Sequence, residues 1–218
     1  MSPRRRRPSF ALWIGAPVLA GGLALLGWAL WPIPVHEETI ALGPLTELLP
    51  TRAPADSALG PEYSLHVGSQ RIVRLGGQSA VTARLEPDGP YAEDILPPDT
   101  NLVAVAHIQT SDVMLDPNGE IFDPLPSGGR ASYSWRASPL HAGVLEATLF
   151  LRLELVSNAG AQVTTKTVLA RPLPMRALSP LGLTQTAATA LGMAAVLTGG
   201  VLLLGALLGR LPHREEAR

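Results

Sequence analysis

Three histidines and two methionines have side chains that bind transition metals. They are His66, His107, His141, Met114 and Met175, and imidazole suits zinc or copper. No two of these histidines have the short spacing of a local ligand pair. The chain has no cysteine, which excludes thiolate ligands, cysteine nucleophiles and disulfides. We therefore expect surface or hydrogen-bonded histidines, with no metal site and no cofactor.

Three short segments share part of a catalytic or metal-binding motif. Residues 36–38 (His-Glu-Glu) begin like a zinc-protease helix, but no second histidine follows at the required spacing. Residues 77–79 (Gly-Gln-Ser) lack the closing glycine of a nucleophile elbow. Residues 116–120 begin like a calcium loop, yet Ile121 stands where glycine is required. The sequence predicts no catalytic residue, and we expect a protein that is not an enzyme.

Negative charge is concentrated in one interval of the chain. Between Arg84 and Arg130 there is no Lys or Arg, whereas basic residues outnumber acidic ones from Arg130 to Arg176. An acidic face attracts a basic partner or a divalent cation. The alternatives are solvated loop carboxylates, and a basic half that lies near anionic lipid headgroups. The candidate partner surface consists of Glu86, Asp88, Glu93, Asp94 and Asp99.

Two aromatic residues, Tyr133 and Trp135, alternate with polar residues in one predicted strand. Such residues could line a groove for a sugar or a peptide. A tryptophan at an alternating position more often belongs to the core, because one aromatic ring fills much of a small sandwich. We predict that both residues are buried.

The segments that position these side chains alternate between apolar and polar residues from Tyr63 to Ala170, which is typical of half-buried strands. The longest alternation, Leu145 to Leu155, has Phe150 among its polar residues. Turn signals about every 8–12 residues favour a β-sandwich. We expect about seven strands, all antiparallel because no crossover helix fits between them. Residues 116–119 (Asp-Pro-Asn-Gly) suit a type I turn, which predicts a hairpin there.

The region around Tyr133-Ser134-Trp135, Pro139, Gly143 and the leucine-rich strand is similar to immunoglobulin-like sandwiches of bacterial envelope proteins. The resemblance implies an immunoglobulin-like fold. The excess of Arg over the single Lys166 favours a bacterial source with a GC-rich genome. The cysteine pair of true immunoglobulin domains is absent, and the resemblance identifies no family.

A first apolar run, from Phe10 to Trp31, has no charged residue and follows four consecutive arginines. A run of about 20 apolar residues spans a bilayer as a helix, and flanking arginines stay on the cytoplasmic side. A cleaved signal peptide is the alternative. The length of the run, with Trp28 and Trp31 at its outer end, favours an uncleaved anchor.

A second uncharged run extends from Leu181 to Gly209, with polar residues in its first part. We place the membrane entry near Ala187. Small residues four apart let transmembrane helices approach closely. The predicted helix–helix contact residues are Ala195, Gly199, Gly205 and Gly209.

These patterns predict a mainly β protein, an antiparallel immunoglobulin-like β-sandwich flanked by two transmembrane α-helices. The β-sandwich occupies 62–176 and the helices 10–31 and 187–209. The expected remainder is a basic cytoplasmic tail (1–9), a proline-rich stalk (32–61), a linker (177–186) and a cytoplasmic tail (210–218). Within the stalk, residues 39–42 are a candidate first strand, and Leu45, Leu48 and Leu49 are the alternative, one helical turn.

The sequence favours an interaction module, an accessory subunit or assembly factor of an envelope or membrane complex. The alternative is a ligand-binding or sensory module that works with a separate cytoplasmic transducer. We expect a two-pass protein of the plasma (inner) membrane with both termini cytoplasmic and the central domain periplasmic or extracellular. Its expected partners are membrane lipids and a protein in or at the membrane, and not nucleic acid.

Overall fold

The computed structural model describes residues 10–44, 62–88, 100–125, 129–157 and 163–208. These residues form two helices, α1 (Phe10–Leu30) and α2 (Gln185–Leu208). They also form twelve strands: β1 (His36–Pro44), β2 (Glu62–Ser69), β3 (Ile72–Arg74), β4 (Ser79–Asp88), β5 (Thr100–Thr110), β6 (Val113–Asp116), β7 (Ile121–Leu125), β8 (Ala131–Pro139), β9 (Gly143–Leu145), β10 (Ala147–Ser157), β11 (Val163–Pro172) and β12 (Met175–Leu178).

The chain forms two compact units. One unit contains α1 and α2, and the other, Ile33–Pro180, contains all the described strands. Both helices are long and apolar enough to cross a membrane, over Leu12–Leu30 and Gln185–Leu208. Two apolar helices therefore flank a β domain, an arrangement consistent with a two-pass membrane protein.

The β domain is a sandwich of mostly antiparallel sheets. A five-stranded sheet has the order β1-β2-β4-β8-β6, a four-stranded sheet has the order β11-β10-β5-β7, and a small sheet has the order β3-β12-β9. One hydrophobic cluster takes buried residues from all three sheets. The β-sandwich prediction is confirmed, whereas its immunoglobulin-like character stays a prediction.

The core follows from strict alternation in the long strands. Leu149, Leu151 and Leu153 of β10 are at most 2% exposed, and the residues between them face away from the core. Tyr133 and Trp135 of β8 are buried in the same cluster, as predicted. Each long strand thus has one face in the core, which leaves its other face available for contacts outside the sandwich.

The segment predicted as a proline-rich stalk contains β1 at residues 36–44, which includes the candidate first strand over residues 39–42. This strand pairs with β2 along its whole length, from His36 opposite Ser69 to Pro44 opposite Glu62. The segment between Pro34 and Pro44 has no proline, so its backbone donors remain available for pairing. The possible helical turn around residues 45–49 lies outside the described residues.

The hairpin predicted at residues 116–119 does not form. β6 pairs with β8 in the five-stranded sheet, whereas β7 pairs with β5 in the four-stranded sheet. The turn therefore carries the chain from one sheet to the other, which local turn chemistry cannot distinguish from a hairpin.

The predictions of about seven strands and of purely antiparallel pairing also need correction. β3, β6, β9 and β12 have only three or four residues each, too few to show a period. β12 pairs with β3 in parallel. Parallel neighbours need a long connection, and most of the domain lies between these two strands in the chain. β12 also extends the sandwich two residues beyond the predicted boundary at residue 176.

The two helices pack through small residues that recur every seven positions. A Cβ added at Gly199 would lie 2.7 Å from the backbone nitrogen of Leu19, and one added at Gly22 would lie 2.8 Å from that of Val196. Glycine is required here because it lets the two backbones approach. The buried small residues with this spacing are Gly15, Gly22 and Ala29 on α1, and Gly192, Gly199 and Ala206 on α2.

The four residues predicted for helix–helix contact do not all face the other helix. Gly199 lies against α1, and the Cβ of Ala195 is 2.9 Å from the position of a Cβ added at Gly22. A Cβ added at Gly205 would meet no atom within 4 Å, so the Cβ position of this glycine does not face α1. Gly209 lies outside the described residues.

The close approach of the two helices predicts that alanine substitution has different effects on stability at two adjacent glycines of α2. Gly199→Ala places a methyl group against the backbone of α1, whereas Gly200→Ala places it in open space. We expect Gly199→Ala to destabilise the protein by about 1–3 kcal/mol relative to Gly200→Ala. Denaturant unfolding in a mild detergent, followed by circular dichroism, measures this. Equal stabilities for the two variants would contradict the packing.

Candidate functional site

A cleft of about 780 Å³ opens in the β-sandwich where β1 begins and β11 passes into β12. Its buried lining includes Leu145, Ala147 and Leu173. A concave site of this size, with polar groups around an apolar lining, has the form of a small-molecule site. The charged and titratable side chains of this cleft are His36, Glu38, Arg71, Glu146 and Arg171.

Two polar pairs line the cleft. Nη2 of Arg71 donates a hydrogen bond to Nε2 of His36 at 2.5 Å. A guanidinium has only donors, so this contact requires an unprotonated Nε2 on His36. Arg171 forms an ion pair with Glu38. Because these two side chains are 45% and 40% exposed, water screens the pair, which contributes at most about 1 kcal/mol to stability.

The strands explain why these residues meet. His36 and Glu38 are two residues apart on β1 and therefore project from one face of the strand. The backbone N–H of Leu173 donates to the carbonyl of Ala147 at 2.8 Å, which holds the β11–β12 junction against β10. The Glu38–Arg171 pair joins the edge strands of the two large sheets. The cleft thus offers both donors and acceptors to a small polar molecule.

The outer face of the four-stranded sheet is the second candidate surface. Val105 is fully buried although it lies on the side of β5 opposite the core. Arg152 of β10 explains this burial, because its Nη1 and Nη2 reach across β5 to the carboxylate of Glu120 at 2.7 and 2.5 Å. Its Nε also donates to Glu154 at 2.9 Å. The contact with Glu120, followed by the charge of Glu154, raises the pKa of Arg152.

Aromatic side chains continue this outer face. The rings of His107 and Phe150 stack with centroids 4.9 Å apart and planes 7° apart. Phe122 of the edge strand β7 lies opposite Val105 and is 57% exposed. We call Val105, His107, Phe122 and Phe150 the aromatic face. Val105, Phe122 and Phe150 are apolar exceptions on the side of an antiparallel sheet that usually meets water.

Asp112 fastens the β5–β6 turn to the start of β10. Its carboxylate accepts hydrogen bonds from the backbone N–H of Glu146 at 2.8 Å and from Ser111 at 3.0 Å, and it lies 3.3 Å from Nε2 of His141. These contacts, that of Glu146 first, lower the pKa of Asp112. The carboxylate of Asp112 in turn raises the pKa of His141.

The predicted metal-ligand candidates occupy separate places. His66 on β2 contacts Thr39 at 2.9 Å, whereas His107 belongs to the aromatic face and His141 contacts Asp112. Met175 is buried in the core, and Met114 is exposed on β6. Among the described residues, no group of three or more His, Asp or Glu side chains could hold a metal ion.

The predicted acidic surface is described only in part. Glu86 and Asp88 lie on β4, whereas Glu93, Asp94 and Asp99 fall outside the described residues. Asp88 accepts a hydrogen bond from Ser64, and Glu86 lines a small cavity that also contains Arg84. Asp88 therefore has a hydroxyl donor as its neighbour, and Glu86 has a basic residue nearby.

The core aromatic residues carry buried polar atoms. The hydroxyl of Tyr133 and Nε1 of Trp135 have no hydrogen-bond partner within the described part of the chain. The two rings stack with centroids 6.0 Å apart. Burial, with a smaller effect of Asp123, raises the pKa of Tyr133, so the phenol stays protonated.

Neither the cleft nor the aromatic face was predicted from the sequence, and only the aromatic face has a signal there. Glu38 and Arg171 are 133 residues apart in the chain, and no local pattern indicates that they meet. Phe150, in contrast, interrupts the polar face of the leucine-rich strand in the sequence itself. That interruption was the available signal for an apolar outer surface.

Comparison with known proteins identifies no family and gives a weak structural likeness. No family model and no curated protein matches the sequence. Among solved structures, the chain is similar to the crystal structure of the cupredoxin domain of amoB from Nitrosocaldus yellowstonii, with 20% identity and a TM-score of 0.27. The match covers 47% of this chain and 56% of that one. A likeness this weak carries no argument about function.

The Asp112–His141 pair predicts a pH window of stabilisation. The lowered pKa of Asp112 stabilises the fold above the ordinary carboxyl pKa of about 4, and this effect is lost as pH falls through the folded value. The raised pKa of His141 stabilises the fold below about 6.5, and that effect is lost as pH rises through the folded value. His141→Ala should therefore lower the thermal midpoint most between about pH 4 and 6.5.

Thermal unfolding of the detergent-solubilised chain at about pH 5 and about pH 9 measures this effect. In an Asp112→Asn background, His141→Ala should lose most of its pH-dependent effect, because the carboxylate that is the main cause of the raised pKa of His141 is gone. A loss of stability in His141→Ala that is equal at both pH values would contradict the role of the pair.

Proposed function

We propose that this protein is a membrane-anchored interaction module, an accessory subunit or assembly factor of an envelope or membrane complex. Its helices α1 and α2 anchor it in the plasma (inner) membrane with both termini in the cytoplasm. Its β-sandwich lies on the periplasmic or extracellular side and binds a protein partner in or at the membrane. The proposed role is not enzymatic and involves no nucleic acid.

The aromatic face is the observation that carries this proposal. Phe122 is the exposed member, and the stacked His107–Phe150 pair lies on the same side of the sheet. Exposed apolar groups that are rimmed by charged residues are typical of protein–protein contact sites. Here the rim is formed by Glu120, Arg152 and Glu154, which are already paired with one another.

The aromatic face is a better candidate for partner binding than the edges of the four-stranded sheet are. β7 contains Pro124, which has no N–H to donate to an added strand. β11, at the other edge of the same sheet, carries Lys166 and an irregular register opposite Leu151 and Arg152. Both features are typical of edges protected against strand addition.

Replacement of Phe122 by glutamate should weaken partner binding by about tenfold or more, because an exposed aromatic anchor becomes charged. The measurement is affinity purification of the full chain in mild detergent with quantitative mass spectrometry. Met114→Glu is the matched control, because Met114 is 62% exposed but lies on β6 of the other large sheet.

The supporting result is a set of co-purifying proteins that Phe122→Glu loses and Met114→Glu retains. Recovery of only the protein itself would count against the subunit role. Equal recovery of partners by both variants would place the contact elsewhere and remove the argument from the aromatic face.

The charged cleft favours a second candidate function, that of a ligand-binding or sensory module. Its size and its mixture of donors and acceptors suit a small polar ligand. Such a module works with a separate cytoplasmic transducer. Recovery of only the protein itself in the affinity purification would favour this second function over the first.

The proposed orientation is testable independently. Reporter fusions at Asp88 and after Arg218 should report opposite sides of the membrane, with Asp88 outside the cytoplasm. Activity measurements with a pair of reporters, one active only in the cytoplasm and one only outside it, provide the readout. The same side for both fusion sites would rule out the two-pass topology.

A further inference from the structure

The small sheet β3-β12-β9 presents one face away from the core. Its register places Arg176 opposite Ile72 on one side and opposite Val144 on the other. The alternate residues Val73 and Ala177 are buried in the sandwich core. The outward residues of this sheet, which we call the three-strand face, are Ile72, Arg74, Val144, Arg176 and Leu178.

This face combines exposed apolar groups with positive charge. Ile72 is 46% exposed and Val144 is 72% exposed, and Arg176 between them is also exposed. None of the ten residues in the three strands is acidic. Partial burial lowers the pKa of Arg74, which nevertheless stays protonated because a guanidinium titrates far above neutral pH.

Such a combination is complementary to the surface of an anionic bilayer. Apolar side chains insert at the headgroup–acyl boundary, while arginine binds lipid phosphates through its planar fork of donors. Each basic residue near such a surface adds electrostatic attraction. Isoleucine and valine beside an arginine thus match both parts of the interface.

The aromatic face does not share this complementarity. Arg152, which belongs to the charged rim of that face, is neutralised by Glu120 and Glu154. An anionic surface would gain no net attraction there and would face two carboxylates. The charge difference between the two faces therefore favours a lipid surface at the three-strand face and a protein at the aromatic face.

We propose that the three-strand face docks on the anionic phospholipid surface of the membrane in which α1 and α2 are anchored. The inference rests on the membrane anchoring of the proposed function but not on its protein partner. Because sandwich and anchors belong to one chain, the lipid surface is present at high effective concentration, and a weak contact is sufficient. Docking weakens at high salt.

The absence of cysteine allows a direct test with single labels. Val144→Cys is labelled with a polarity-sensitive fluorophore in the full chain, which is reconstituted into vesicles of phosphatidylcholine alone or with phosphatidylglycerol. Ser134→Cys on β8 is the control, because Ser134 is also exposed but lies outside the three-strand face. Acrylamide, a neutral quencher, reports the exposure of each label to water.

We expect the label at position 144 to shift to the blue and to be quenched several-fold less in anionic vesicles, with reversal at high salt. The label at position 134 should not change. Arg176→Gln should remove most of the difference, and Arg176→Glu all of it. Thermal unfolding midpoints that match the parent chain show that these variants are folded.

Equal quenching at position 144 in both kinds of vesicle would overturn the proposal. Protection of this position in native membranes but in neither kind of vesicle would also overturn it, in favour of a protein partner at this face. Extraction of the chain by alkaline carbonate would instead show that α1 and α2 are not anchored. That outcome refutes the anchoring itself and is therefore distinguishable from failure of the docking alone.

Discussion

The sandwich depends on the burial of one apolar face of every long strand in a shared core. β10 shows the constraint most simply, because Leu149, Leu151 and Leu153 point inward while Phe150 and Arg152 point outward. A change of register by one residue would exchange these two sets. The position of every outward group, including those of the aromatic face, therefore follows from the requirement to bury the leucines.

The helix pair obeys a similar constraint with a different period. A seven-residue repeat returns small residues to the same side of a helix, which keeps a continuous seam of close backbone contact. Gly22 and Gly199 are the tightest points of this seam. Lipid offers no hydrophobic driving force for association between apolar helices, so close backbone packing is what holds such a pair together.

The outward surfaces of the β domain differ in charge rather than in apolar content. On the four-stranded sheet, Arg152 is balanced by two carboxylates, and the adjacent Phe122 is exposed. On the small sheet, Arg176 lies between Ile72 and Val144 with no acidic residue in the three strands. The first combination suits a protein surface and the second an anionic lipid surface, so one sandwich can serve two different contacts.

The sequence by itself determined the elements with a clear local period. The apolar runs predicted both helices, and alternation predicted the long strands and the burial of Tyr133 and Trp135. Tertiary structure decided which segments meet. It assigned β6 and β7 to different sheets, placed β1 beside β2 and paired Gly22 with the backbone near Val196. It also brought Glu38 to Arg171 across the sandwich. The physical reason is that a period reports which face of a segment is buried, whereas pairing depends on closure of a core by residues far apart in the chain.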